Sequence, residues 1–163
     1  MSDTCLFPTP DHNHTVCISA AIKHAEAHCK ENGARLTAQR KRVLEIVWEN
    51  HRPIGAYEIL DRLAAFGSRP APMTVYRALD FLQSQGLIHR IASLNAFIGC
   101  GHPGNDHCAQ FLICRECKSV AEIADPGMQA AMVQSAAASG FHLHKPLVEL
   151  EGICAHCHEV NSQ

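Results

Sequence analysis

Two Cys-x-x-Cys pairs constrain this chain more than anything else in it. They are Cys114-Arg115-Glu116-Cys117 and Cys154-Ala155-His156-Cys157, with 36 residues between them. Two cysteines spaced in this way can grip one metal ion from a single tight turn. Two such pairs complete a tetrahedral set of four thiolates, the closed arrangement of structural zinc. The spacing therefore predicts one zinc ion held by Cys114, Cys117, Cys154 and Cys157. A pair of disulfides or a redox dithiol is the competing use. The apolar residues flanking each pair read as strand, not as the strand-to-helix turn of a thioredoxin-type site.

At 163 residues the chain suits one domain or two small ones. Nine cysteines cannot all pair within the chain. The first dozen residues include Asp3, Pro8, Pro10 and Asp11 and lack the apolar core of a secretory leader. No apolar run is long enough to span a bilayer. The expectation is a reducing, cytoplasmic setting with no membrane partner, where cysteines are thiols or metal thiolates. Charge is uneven: residues 1–98 carry 11 Lys and Arg against 9 Asp and Glu, and residues 99–163 carry 3 against 7. The basic excess and the metal-ligand excess thus fall in different halves, as in two domains with different tasks.

Residues 1–14 read as a polar, flexible tail. Helical periodicity then predicts a helix over 16–32, stopped by Gly33, and a second one capped by Thr37 and ended by Pro53. A third runs over 57–66 and closes at Gly67. A fourth runs over 73–85 behind Pro72, with Val75, Ala78, Leu79 and Leu82 inward and Gly86 past its end. Residues 87–91 and 95–98 read as a β-hairpin. Helices on short turns followed by a hairpin is the order of a winged helix-turn-helix. The fourth helix would enter the major groove and the hairpin would be the wing. Arg77 is the candidate base reader, because a guanidinium can fork onto guanine O6 and N7. Tyr57, Thr74 and Tyr76 are candidates for phosphate, sugar or thymine-methyl contacts. Residues 99–108 read as a hinge. Beyond it come strands over 111–113, 120–123 and 147–150, with an Ala-rich helix over 127–139. The expected class is α+β: a winged-helix DNA-binding domain over 1–98 and a small α/β dimerisation and zinc-binding domain over 109–163. So small a second core calls for the zinc clip and a dimer partner.

Leu36-Thr37-Ala38-Gln39-Arg40, Met73-Thr74-Val75-Tyr76-Arg77-Ala78-Leu79 and Phe111-Leu112-Ile113-Cys114-Arg115-Glu116-Cys117 occur in the order found in the ferric-uptake-regulator family. The chain resembles that family over roughly residues 20–160, and within it is most similar to the zinc uptake regulators. The resemblance implies a homodimeric, metal-dependent repressor of operator DNA, not an enzyme, with no catalytic residues. It implies zinc control of zinc-uptake genes.

The resemblance also implies a second, regulatory zinc site at His89, Cys100, His107 and Glu122, for two zinc ions per subunit. One thiolate, two imidazoles and a carboxylate form a plausible tetrahedral zinc set. Cys100 is the informative member: the iron- and peroxide-sensing relatives mostly use nitrogen and oxygen ligands here, while a thiolate favours zinc. His102 and Cys108 lie near enough in sequence to substitute in this set. His142 and His144 leave a third site open. The rival readings are an iron- or peroxide-sensing sibling and a zinc-ribbon or thiol redox protein. No H-x-E paired with P-C-x-x-C is present, which argues against a nucleotide deaminase.

Overall fold

A computed structural model describes residues 7, 14–49, 52–67, 70–101, 103, 108–144 and 146–161. The expected tail over 1–14 therefore lies, apart from Phe7 and His14, outside the described residues, as does much of the expected hinge. The chain forms two units, one within Pro8–Asn105 and the other within Asp106–Gln163 together with Phe7.

The first unit carries four helices and a hairpin: α1 (His14–Glu31), α2 (Ala38–Trp48), α3 (Ala56–Ala65), α4 (Pro72–Ser84), β1 (Ile88–Ile91) and β2 (Ala96–Gly99). Thr37 starts α2 by accepting the Arg40 N–H on its hydroxyl at 3.4 Å, satisfying one of the donors a helix start leaves open. Val43, Leu44, Ile46 and Val47 of α2 pack with Ile59 and Leu63 of α3 and with Val75, Leu79 and Leu82 of α4. Each such side chain stabilises the unit by about 1.5–3 kcal/mol relative to exposure. Cys29 of α1 joins this core as a small buried thiol.

The start of α4 has Pro72 in its first turn, where a missing N–H costs little. At its end Gly86 takes φ +66, and Leu87 donates back to Leu82 O at 2.9 Å. That left-handed step turns the chain straight into β1. In the hairpin Ile88 pairs with Gly99 and Ile91 with Ala96. Ile54 adds an isolated bridge to Phe97, with both N–H···O bonds at 2.9 Å. Arg62 ties α2 to α3 through Glu49 and Glu58. The Arg40 guanidinium lies 3.5 Å over the Phe81 ring of α4, and Arg42 lies 4.0 Å over Phe66.

The second unit is built from β3 (Ala109–Cys114), β4 (Val120–Ile123), α5 (Pro126–Ala138), β5 (Leu147–Gly152) and α6 (Ala155–Asn161). Its sheet has the order β4-β3-β5, antiparallel on one side of β3 and parallel on the other. Parallel neighbours need a crossover, and α5 supplies it. Asp125 caps α5 by accepting the Met128 N–H at 2.9 Å. Phe111, Ile113, Val120 and Ala121 form the small core. Gln110, beside Phe111 in β3, is also buried, with its amide bonded to the Asp125 backbone. Cys108 is buried and directs its thiol at Pro146 O, 3.8 Å away. The seven-residue α6 is absent from the sequence-based expectation, which reads the second cysteine pair as a turn after a strand. Here that pair opens a helix instead, with His158 donating to Cys154 O at 2.9 Å.

Candidate metal centre and nucleic-acid interface

Cys114 ends β3, and the chain then reverses through Arg115, Glu116 and Cys117. Lys118 sits at φ +62 and donates its N–H to Cys114 O at 2.9 Å, while Cys114 donates to Ser119 O at 3.0 Å. This is a tight turn that aims two sulfurs the same way. Arg115 also donates to Gly152 O at 2.9 Å, which carries the β3–β5 ladder past the strand end. That extension delivers Cys154, two residues on, beside the first pair. The Cys154 N–H points at Cys114 Sγ, 3.3 Å away. Cys157 follows within the first turn of α6.

The four sulfurs lie within 4.8 Å of one another, and Cys117 Sγ stands 3.9 Å from Cys154 Sγ. Zn–S bonds of 2.3 Å in a tetrahedron put sulfurs about 3.8 Å apart, so the cluster fits that ion. A disulfide would need about 2.05 Å, and none of the four cysteines is in one. Their acidities spread widely. Burial pushes the Cys114 thiol up, but the N–H groups of Cys154, Cys117 and Glu116 outweigh it and hold the group at about 6. Cys117 is also lowered: burial opposes ionisation, and Ser119, through its hydroxyl and its N–H, outweighs it. Cys154 is raised, chiefly by burial. Cys157 is pushed up to about 12, chiefly by its hydrogen bond with Cys154. Two thiolates 4 Å apart repel by roughly 4 kcal/mol at an effective dielectric of 20. The cluster can therefore ionise fully only around a cation.

In the first unit, Arg77 and Tyr76 are exposed near the start of α4, Thr74 is half-buried beside them, and Tyr57 is 73 % exposed at the start of α3. Arg40, Arg42, Arg62 and Arg90 are engaged by Phe81, Glu45, two further carboxylates and Asn95 respectively. Arg77 is exposed and has no such engagement among the described residues.

His89 lies on β1. Cys100 follows β2 and donates its N–H to Leu87 O at 3.0 Å. Residues 87 and 89 share a face of the strand, so Cys100 opposite Leu87 is the diagonal neighbour of His89. Their ligand atoms lie within 4.8 Å of each other. Glu122 lies half-buried on β4 of the second unit. His107 and His102 fall outside the described residues. His142 and His144 are exposed and join no group of three ligand-type side chains among the described residues.

The ferric uptake regulator family model matches residues 31–151. The zinc uptake regulation protein of Escherichia coli K12 is 37% identical over 142 residues, 86% of this chain and 83% of that protein. The ferric uptake regulation protein of the same strain is 30% identical over 131 residues, 77% of this chain and 85% of its own. Among solved structures, a zinc uptake regulator complexed with zinc and DNA superposes with a TM-score of 0.84 at 35% identity, covering 90% of this chain and 98% of its own. With the helices and hairpin of one unit and the thiolate cluster of the other in the order the motifs required, the chain belongs to the ferric uptake regulator family.

Proposed function

We propose that this chain is a zinc-responsive transcriptional repressor, not an enzyme, that binds operator DNA as a homodimer in the cytoplasm and controls zinc-uptake genes. Its relatives at 35–37% identity are a zinc uptake regulation protein and a zinc uptake regulator bound to zinc and DNA. The observation that carries the zinc reading is the His89–Cys100 pair. It sets a thiol beside an imidazole at the hairpin of the unit that presents Arg77. A thiolate in the donor set favours zinc over iron and manganese.

In this reading Cys114, Cys117, Cys154 and Cys157 hold one zinc ion as a permanent clip. His89, Cys100, His107 and Glu122 form the regulatory set, giving two zinc ions per subunit. Zinc at either place supplies positive charge and a tetrahedral template. The cysteines of the clip contribute one ready thiolate, Cys114, and the turn geometry that aligns the rest. Filling the regulatory set favours the DNA-binding state only by its differential affinity for that state. Arg77 then reads guanine in the major groove, and Tyr57, Thr74 and Tyr76 contact phosphate, sugar or a thymine methyl.

What the second unit leaves uncovered supports the dimer. α5 has no fully buried residue, although it is rich in alanine, and Val133 is exposed on it. Edge strand β5 exposes Leu147 and Leu150. An apolar edge of this kind is a pairing surface, and a second copy supplies a symmetric cover.

The test is fluorescence anisotropy on a palindromic operator fragment, using dimer whose four-thiolate clips are loaded. Adding zinc should raise affinity tenfold or more, on the order of a typical allosteric coupling. Ferrous iron and manganese should do so weakly, and Cys100→Ser should lose the zinc response. A Cys100→Ser protein that kept a full response would refute the assignment. If the wild-type protein responds to ferrous iron and Cys100→Ser keeps that response, the reading becomes that of an iron or peroxide sensor.

A further inference from the structure

Trp48, the single tryptophan of the chain, ends α2, and its indole lies against Gly99, the last residue of β2. The approach is so close that a Cβ at position 99 would sit 2.6 Å from Trp48 Cζ2 and closer still to Cε2. No side chain fits there unless the indole or the strand moves. Packed interiors resist such movement, and Trp48 is packed against the core of the unit.

The residue after Gly99 is Cys100, which is 1% exposed and extends the hairpin ladder by one rung through Leu87. Side chains alternate across a strand. Gly99 therefore meets the indole on one face while Cys100 shares the other face with His89. A shift of the backbone at 99 is carried directly into the position of the Cys100 sulfur.

Taking Cys100 as a regulatory ligand, as above, we propose that Trp48 is a positioning residue for the regulatory zinc site. Its indole, seated on Gly99, fixes the strand end that presents Cys100 to the metal. Metal ligands need their supporting groups held to within about half an ångström, and a rigid bicyclic ring against a bare Cα gives that definition. α2 also packs Val43, Leu44, Ile46 and Val47 into the core shared with α4, so one helix supports both the Arg77-bearing element and the sulfur.

The experiment titrates Co2+ into dimer whose four-thiolate clips are already filled with zinc. A Co2+–thiolate bond gives a near-ultraviolet charge-transfer band, which reports Cys100 directly. Gly99→Ala should weaken Co2+ binding about tenfold or more, the usual cost of disturbing a ligand's support, while the clip zinc stays at one per subunit. Combining Gly99→Val with Trp48→Leu should bring affinity back towards wild type, because the added side chain enters the volume the indole left. Trp48→Phe introduces no clash and should also weaken binding, with faster alkylation of the Cys100 thiol in dimer that holds only its clip zinc. Folded Gly99→Ala protein with wild-type Co2+ affinity overturns the proposal. If Gly99→Ala does not fold, wild-type affinity in Trp48→Phe overturns it equally. A charge-transfer band that survives in Cys100→Ser instead overturns the assignment of Cys100, and this proposal with it.

Discussion

Gln110 offers a quantitative test of how the second unit is held together. It is 1% exposed, and its side-chain amide copies a strand pairing: Nε2 donates to Asp125 O at 2.9 Å, and Asp125 N–H donates to Oε1 at 3.1 Å. Asp125 in turn caps α5 through Met128 N. Gln110→Leu keeps a buried side chain of similar size and removes both bonds. A net hydrogen bond contributes about 0.5–1.5 kcal/mol, so the pair accounts for about 1–3 kcal/mol. The lower half of that range applies if water reaches the Asp125 backbone, and Asp125 is an exposed residue. Urea unfolding of the zinc-loaded dimer, read by circular dichroism, measures the loss. Hydrogen exchange should show it concentrated at the start of α5. Asp125→Ala alone should cost about 1 kcal/mol as a lost cap. Combined with Gln110→Leu it should cost less than the sum, because the first change already frees the residue that caps. A Gln110→Leu protein within about 0.3 kcal/mol of wild type, or strict additivity in the double variant, would falsify this account.

Zinc uptake by the clip should also release a characteristic number of protons. A lowered thiol is already ionised at pH 7.5 and gives none up, whereas a raised one is still protonated and must. Cys114, held at about 6, is a thiolate at that pH, while Cys157 at about 12 and Cys154, also raised, are thiols. Calorimetry of zinc binding in buffers of different ionisation enthalpy should thus find two to three protons released, and a count near four would mean that the cluster is not organised before zinc arrives. Arg77→Ala should weaken operator binding by about 1–3 kcal/mol and relax preference at one guanine, and a uniform loss across unrelated sequences would make Arg77 a phosphate contact instead. Leu79→Ala, at a fully buried position of α4, should cost about 2–5 kcal/mol in thermal or urea unfolding. A loss under 1 kcal/mol would mean that the helix is not packed as described.

The helices were legible in the sequence because their signals are local and redundant. Thr37 caps, Pro72 begins, Gly86 ends, and Val75, Leu79 and Leu82 repeat at helical spacing between them. The thiolate cluster was legible because its spacing is itself the geometry. The Ile54–Phe97 bridge left no trace, since a single paired residue has no period to detect. The seven residues of α6 are too few and too polar to announce a helix, and the helix depends on where β5 delivers Cys154. Gln110 fell outside the expected strand over 111–113, because nothing in its neighbours reveals that its partner is the backbone 15 residues on. The seat of Trp48 on Gly99 joins α2 to β2 across the core, a contact that no window along the chain contains. What the sequence hid in each case was long-range pairing, which register and packing decide together.

The most direct test of the whole account is a stepwise chelation of the purified, zinc-saturated protein with operator binding followed in parallel. The account predicts two classes of zinc: a weak one whose removal lowers operator affinity tenfold or more, and a tight one, one per subunit, that Cys114, Cys117, Cys154 and Cys157 retain. A single class of zinc, or unchanged operator affinity with only the tight ion left, would contradict it.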